Sequence, residues 1–421
     1  MDTKKLRKKL IKKIDERRAD YPFYGEMLRR ARNEKGLTQE EVSRGILCDT
    51  YYSKIENNKI EPKEYFIAEV GERLGLDFTK LFNRTRQAHL FEDITRAVLY
   101  GDHDHLAKQQ IAVRPFNHPL LDDLVALALA VVEGNISSAT EIVKRNESLI
   151  PSMPEDVGAL MIILAAVNAF NKHQFNVTVS LLNTSALIPE LSGAHRTLEH
   201  YYLFLAKQQL GLKLSSLPNF LEASSLLTRH HHPDKLLELR LQKVYFMIHE
   251  NIHDAQKELT QIHVHDVPKA VHNLYHYLHA RLLFLHQEKA DVIMPHLDVI
   301  KKSWGETWYY KSLVLRCQLA KKTGKGDIDE LRKVFDTVSQ REAAILEKIH
   351  FIIETTEDQS ALKTYLNDVA VPITSERQHT ELMRIVFEKL VDIANANNRY
   401  KEGLAYKRKY EKLLKRLQSV S

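Results

Sequence analysis

The sequence predicts an all-α protein, with a small N-terminal domain of short helices followed by an α-solenoid of about nine helical hairpins. Three observations predict it. Apolar residues recur at helical spacing from about residue 85 onward, without strand-like alternation, and the 421 residues contain only 14 Gly and 12 Pro. The helical pattern repeats, with pairs beginning near 84, 118, 155, 193, 233, 267, 304, 340 and 373, at intervals of 33 to 40 residues. Residues 24–75 instead break into short segments punctuated by Gly36, Gly45 and Gly75.

Bulk properties narrow the class. A chain of 421 residues exceeds what one compact core supports, so it is expected to be divided or elongated. The apolar fraction of 44% and charged fraction of 28% suit a soluble globular protein. Cys48 and Cys317 are too few for a disulfide framework and fit a reducing cytoplasm. Met1-Asp2 followed by lysines has no apolar core and is not a signal peptide. The longest apolar run, near 124–132, is about half a membrane span, which argues for a buried helix and against a membrane partner. Residues 1–86 hold 21 Lys/Arg against 15 Asp/Glu, while the remainder is balanced at 40 of each, so the net charge of +6 originates at the N-terminal end. A polyanionic partner for that end follows.

The elements can be taken in order. Residues 1–20 form a basic extension with lysines at 4, 5, 8, 9, 12 and 13 and apolar residues Leu6, Leu10, Ile11 and Ile14, a spacing that suits a basic amphipathic helix. Residues 21–83 make the small domain. Its first helix spans 24–35 and ends at Gly36. Thr38-Gln39-Glu40-Glu41 is a capping box that starts the second helix. Gly45 supplies a sharp turn into a third helix over 49–56, and a fourth runs from Pro62 to Leu74 and stops at Gly75. Leu28, Ala31, Leu37, Val42, Ile46, Tyr52, Ile55, Ile67, Val70 and Leu74 form its expected core. Two helices joined by a sharp turn, the second exposed, make a helix-turn-helix whose second helix enters a DNA major groove.

Residues 84–421 form the repeat region. The units over 120–147, 161–187 and 308–338 each show an apolar helix, a polar turn (Gly134-Asn135, Lys172-His173-Gln174, Gly324-Lys325-Gly326) and a second helix. Ala165, Ala166, Ala206, Ala255, Ala280 and Ser312 recur where helices approach closely. One hairpin cannot bury its apolar face alone, so neighbours stack, and their first helices line a concave surface suited to an extended peptide or a partner helix.

The sequence argues against an enzyme and implies no cofactor. Without strands there is no strand–loop–helix phosphate cradle. His249-Glu250-Asn251-Ile252-His253 spells the zincin pattern, but its chemistry needs both histidines on one continuous helix, and Asn251 falls where the inter-helix turn is expected. His272, His276 and His279 share a helical face; with His230, His231 and His232 they read as a concave-face cluster more readily than as a metal or pH site. Tyr275, Tyr277, Trp308, Tyr309 and Tyr310 read mainly as core.

The Leu37-Thr38-Gln39 and Ser53-Lys54-Ile55-Glu56-Asn57 signatures resemble the XRE/Cro type of helix-turn-helix over some fifty residues. Val42-Ser43-Arg44-Gly45-Ile46, followed by Tyr51-Tyr52-Ser53-Lys54-Ile55-Glu56, further resembles the Rgg/PlcR/NprR branch, in which such a domain precedes tetratricopeptide repeats. Together the halves resemble a peptide-responsive quorum-sensing regulator of the RRNPP group, with a right-handed, degenerate tetratricopeptide-like solenoid. A cytoplasmic homodimer that binds an operator and is controlled by a short signalling peptide is what this resemblance implies. A Rap-like regulator that sequesters or acts on a response regulator, with DNA binding secondary, is the alternative.

The resemblance also assigns roles. Gln39, at a helix N-terminus, binds a phosphate. Thr50, Tyr51 and Lys54 face the groove, and Arg32 pairs with Glu56. Asp49 sits at a base-reading position, where an Asp accepts from cytosine N4 but repels phosphate; its alternative role is to favour its helix N-terminus. For the peptide, amides pair with an extended backbone and Arg takes a carboxylate. The first-helix candidates are Asn168, Asn171, Lys207, Lys243, Tyr277, Arg281, Tyr309 and Arg316.

Overall fold

The computed structural model describes residues 5–8, 24–57, 60, 62–76, 84–113, 119–153, 155–188, 192–248, 250–262, 267–324, 326–339, 342 and 344–419. Among them there are helices and turns and no strand. Of the basic extension, 5–8 are helical with Leu6 buried; the rest of that expectation lies outside the described residues.

The small domain consists of α1 (Tyr24–Glu34), α2 (Gln39–Ser43), α3 (Asp49–Glu56) and α4 (Glu64–Leu74). The capping box forms as read. The Glu41 amide donates to Thr38 Oγ1 at 3.2 Å, and the Thr38 amide donates to Glu41 Oε2 at 2.7 Å. Those hydrogen bonds hold the Glu41 carboxyl below the usual range. Gly45 takes φ +79°, a left-handed geometry that side chains resist, and so reverses the chain between α2 and α3. Eight expected core residues are buried, from Leu28 to Leu74. Leu37 and Ile46 are only half-buried, which corrects the expectation: each directly follows a turn and lies at the rim. The fourth helix begins at Glu64, two residues after Pro62.

Nine hairpins follow among the described residues. They are α5 (Arg84–Tyr100) with α6 (His103–Val113), α7 (Pro119–Val132) with α8 (Ile136–Asn146), α9 (Glu155–Asn171) with α10 (Phe175–Ser185), and α11 (Gly193–Gln209) with α12 (Lys213–Arg229). Then come α13 (Pro233–Met247) with α14 (Ile252–Thr260), α15 (Lys269–Leu285) with α16 (Ala290–Asp298), and α17 (Glu306–Thr323) with α18 (Ile328–Asp336). The eighth pairs α19 (Ile345–Thr355) with α20 (Gln359–Tyr365), a π turn (Leu366–Ala370) and α21 (Val371–Glu376). The ninth pairs α22 (Thr380–Ala396) with α23 (Tyr400–Gln418).

The expected ninth start near 373 falls inside the second helix of hairpin eight. There Pro372 lacks the amide an α-turn would use, and the preceding π turn absorbs the mismatch, lengthening the unit. Among the described residues seven of the nine turns inside hairpins share one device, a left-handed residue after the first helix; the turn from α19 to α20 instead stays at negative φ, with Thr356 at −84° and Asp358 at −66°. Gly134 (φ +68°) and His173 (φ +57°) occupy the left-handed position, and the next amides reach back to Ala130 O at 2.8 Å and Ala169 O at 2.9 Å.

The chain forms two compact units, one of residues 1–206 and 221–226, the other of 207–220 and 227–420. In the first, α9 is buried on every side: each residue over 157–169 is covered. An all-round apolar helix is stable only when neighbours enclose it. The second is built on an apolar cluster that includes Leu241, Val244, Leu274, Leu278, Leu297 and Leu319. Tyr275, Tyr277 and Tyr310 are buried, and Trp308 and Tyr309 pack partly against the cluster, as expected of core residues. The small-residue positions are buried in both units.

Two buried titratable groups lie one turn apart on α11. Burial raises the Glu199 carboxyl to about 7, and it accepts a hydrogen bond from Ser185 Oγ at 3.3 Å; burial lowers His195 to about 4. A carboxyl raised from 4.5 contributes stability fully below pH 4.5 and loses it as pH rises toward 7, about 3 kcal/mol in all. Glu199→Gln is therefore expected to raise the thermal midpoint above pH 7 and to flatten the pH 4.5–7 limb. His195 acts oppositely, losing stability as pH falls from 6.5 toward 4, so that limb should persist in the variant. Calorimetry across this range measures both; an unchanged 4.5–7 limb would contradict the assignment.

Candidate nucleic-acid interface and ligand cavity

On α3 the buried side consists of Tyr52, Ile55 and Glu56. The opposite side leaves Thr50 and Lys54 exposed one turn apart, with Tyr51 half-buried and packed edge-on against Phe66 at 5.8 Å. This face is held from within. Glu56 is fully buried, and its carboxylate accepts from Arg32 Nε at 2.6 Å, Arg32 Nη2 at 3.2 Å and Gln39 Nε2 at 2.6 Å. The Arg32–Glu56 pair is present as the resemblance implied. Arg29 donates to the Glu56 carbonyl at 3.2 Å and Asn57 Oδ1 at 2.6 Å, which caps the end of α3. From α4, Arg73 donates to the carbonyls of Val42 at 2.8 Å and Arg44 at 2.6 Å, clamping the turn.

Two of the five DNA candidates thus have internal hydrogen-bond partners. The Gln39 amide is committed to Glu56. Asp49 is exposed in the first turn of α3 and accepts a hydrogen bond from the buried Ser43 hydroxyl, tying α2 to α3. A cluster centred on Asp123 of α7 joins the small domain to the hairpins. Asp123 is 5% exposed; it accepts from Arg30 Nη1 of α1 at 2.6 Å, Asn146 Nδ2 at 2.8 Å and the Arg145 guanidinium of α8.

In the second unit, first helices from α13 to α22 line a cavity of about 270 Å³. Tyr277 and Arg281 of α15 face it, with Tyr245, Lys311, Gln318, Glu347, His350, Glu354, Glu381 and Arg384. Arg281 Nη1 donates to Gln318 Oε1 at 2.9 Å, and Gln318 Nε2 donates to Glu354 Oε1 at 2.7 Å. Among the described residues no carboxylate lies within ion-pair distance of Arg281. Lys311 is neutralised: its Nζ lies 3.3 Å from Glu347 Oε1 and donates to Tyr245 Oη at 3.1 Å. Burial opposes the Lys311 charge, but Tyr245 and Glu347 outweigh it and raise the pKa well above the usual lysine value. Burial lowers His350 to about 4, so it is uncharged at neutral pH.

The other groove candidates are placed elsewhere. Asn168 is buried and contacts Thr140 at 3.5 Å, while Asn171 donates to the Val131 carbonyl at 3.0 Å; both serve contacts between hairpins. Lys207 donates to Asn219 Oδ1 at 2.7 Å. Lys243 pairs with Glu258 at 3.1 Å, and Arg316 pairs with Asp298 at 2.8 Å. Tyr309 is half-buried in the core. The helical period explains the slip on α17: Lys311, Val314, Leu315 and Gln318 face the cavity, and Arg316 lies about 100° away. Lys311 and Gln318 were missed, although a lone lysine in an apolar stripe was the available signal.

His272, His276 and His279 do share a face, and His296 of α16 joins them. His276 Nε2 lies 3.2 Å from His272 Nε2, and His276 Nδ1 lies 3.3 Å from His296 Nδ1. Burial holds His276 and His279 at about 4. The zincin pattern is broken as expected: α13 ends at Met247, and Asn251 (φ −146°) caps α14; His249 lies outside the described residues.

Glu56→Ala would leave Arg32 partly buried without its counter-charge. Removing one partner of such a pair costs about 3–5 kcal/mol. The expected outcome is selective loss of hydrogen-exchange protection in α1 to α4 while α9 stays protected; uniform loss would show that Glu56 supports more than the small domain.

Comparisons agree with this geometry. Residues 25–86 match the family model described as a helix-turn-helix domain. An uncharacterised HTH-type transcriptional regulator, YqaF of Bacillus subtilis (strain 168), is 41% identical over 56 residues, covering 13% of this chain and 74% of the relative. The structure of the apo form of the quorum sensor NprR from B. thuringiensis superposes with a TM-score of 0.55 at 10% identity, covering 78% of this chain and 99% of that one. The all-α body thus shares the fold of that protein, and the chain belongs to the HTH-type transcriptional regulators.

Proposed function

We propose that this chain is a peptide-responsive transcription regulator, in which α3 reads operator DNA and the cavity of the second unit receives the anionic end of a short signalling peptide. Arg281 carries the reading. It is a cavity-facing guanidinium with a neutral partner and, among the described residues, no carboxylate, which suits it to a bidentate carboxylate ligand. At about 270 Å³ the cavity is at the small end for ligand sites and would hold an anchor, with the rest of an extended peptide along the neighbouring first helices. The fold likeness to a quorum sensor supports the same assignment.

On the DNA side, Thr50, Tyr51 and Lys54 contact the duplex. Gln39 acts by orienting α3 through Glu56, and Asp49 by holding the start of α3. A cytoplasmic homodimer with tetratricopeptide-like repeats would place two heads on half-sites about 34–36 Å apart. The Arg30–Asp123–Arg145 cluster would transmit movement of α7 and α8 to the head. Ligand control is then bounded by the peptide's differential affinity for the two arrangements.

Isothermal titration of the full chain against synthetic peptides, each with a free or amidated C-terminus, tests this. A free-carboxylate peptide is expected to bind, with amidation or Arg281→Ala weakening it roughly ten- to a hundredfold, the range for a charge-assisted hydrogen bond. No binding across the panel, with operator binding intact, would leave a constitutive regulator. Lys54→Ala should lower operator affinity about tenfold at unchanged thermal stability.

A further inference from the structure

The charge balance beyond residue 86 conceals a local excess. Helix α23 carries Lys401, Lys407, Arg408, Lys409, Lys412, Lys415 and Arg416 against Glu402 and Glu411. All seven cations are exposed, and among the described residues none is ion-paired. Glu402 is spent on Lys363 at 2.6 Å. At 3.6 residues per turn, Lys401, Arg408, Lys412 and Lys415 fall within an arc of about 60°, and the row to Arg416 runs about 22 Å. The opposite side of the helix is fixed. Gly403 packs against Asn395, Tyr410 lies 5.7 Å from Phe387, Leu417 is buried, and Gln418 Nε2 donates to the Leu210 carbonyl at 3.1 Å.

We infer that α23 is a second nucleic-acid contact surface, a rigid cationic row that takes the phosphate backbone of duplex DNA without reading its sequence. A row of unneutralised cations complements a polyanion, and release of condensed counterions supplies the affinity. The partner is DNA rather than an anionic bilayer because a bilayer-bound helix needs a free apolar face. Here that face is used against α22, with Leu413 and Leu414 half-buried, and the large apolar side chains left exposed are Tyr400 and Leu404, both near the start. The chain's membership among transcription regulators makes duplex DNA the polyanion it meets.

The test uses the full chain, a fluorescein-labelled duplex of arbitrary sequence, and anisotropy from about 50 to 200 mM salt. In R408Q/K412Q/K415Q/R416Q the log–log salt dependence should become shallower by about 3–4, at roughly 0.9 per phosphate contact. Affinity at low salt should fall at least about tenfold, with the thermal midpoint unchanged. R408K/R416K should keep both slope and affinity. An unchanged slope in the glutamine variant overturns the inference, as does loss of binding to phosphatidylglycerol vesicles with duplex binding intact. Lys54→Ala, measured in parallel, separates the two surfaces: loss with Lys54→Ala alone leaves the α3 reading standing and removes α23.

Discussion

A helical hairpin can bury its apolar side only against another hairpin, and most of this molecule follows from that constraint. It explains why α9 is covered on every side and why small residues recur where helices meet. It also explains how the fold persists at 10% identity to NprR: stacking constrains helix length, spacing and side-chain volume, and leaves most identities open.

The same constraint sorts the polar residues. Those on stacking faces are satisfied internally, as Asn168 and Asn171 are. Buried charges are pinned by opposite partners: Glu56 by Arg32, Asp123 by Arg30 and Arg145, Lys311 by Glu347. Against that background, charges without an opposite partner stand out. Arg281, whose partner across the hairpins is the uncharged Gln318, and the cationic row of α23 cost the fold solvation or self-repulsion without an opposite charge to offset it. Such groups are where a ligand has something to neutralise.

The head works by a related logic. Its reading helix is short and its core small, so the geometry of α3 rests on a few polar ties: the Glu56 cluster, the Arg73 clamp on the turn and the Ser43–Asp49 bond. Asp123 extends the chain of ties to the first hairpins. Charged hydrogen bonds suit this role because they are directional where apolar packing is not.

The head was almost fully legible from sequence. Its capping box, turn glycines and Arg32–Glu56 pair are local or carried by a specific signature, and each appears as read. Hairpin number and most boundaries were legible for the same reason, since helical periodicity is a short-range property. The one failure, near 373, came from a π turn that inserts a residue into the helical count. Which polar side chain faces the cavity was not legible: a shift of one residue turns a helix by about 100°, so Arg281 and Arg316 look alike in sequence and end with different partners. The contribution of His296 to the histidine cluster, and of Glu347 to Lys311, was likewise decided only by tertiary contact, because those partners come from other helices and no spacing rule reaches that far.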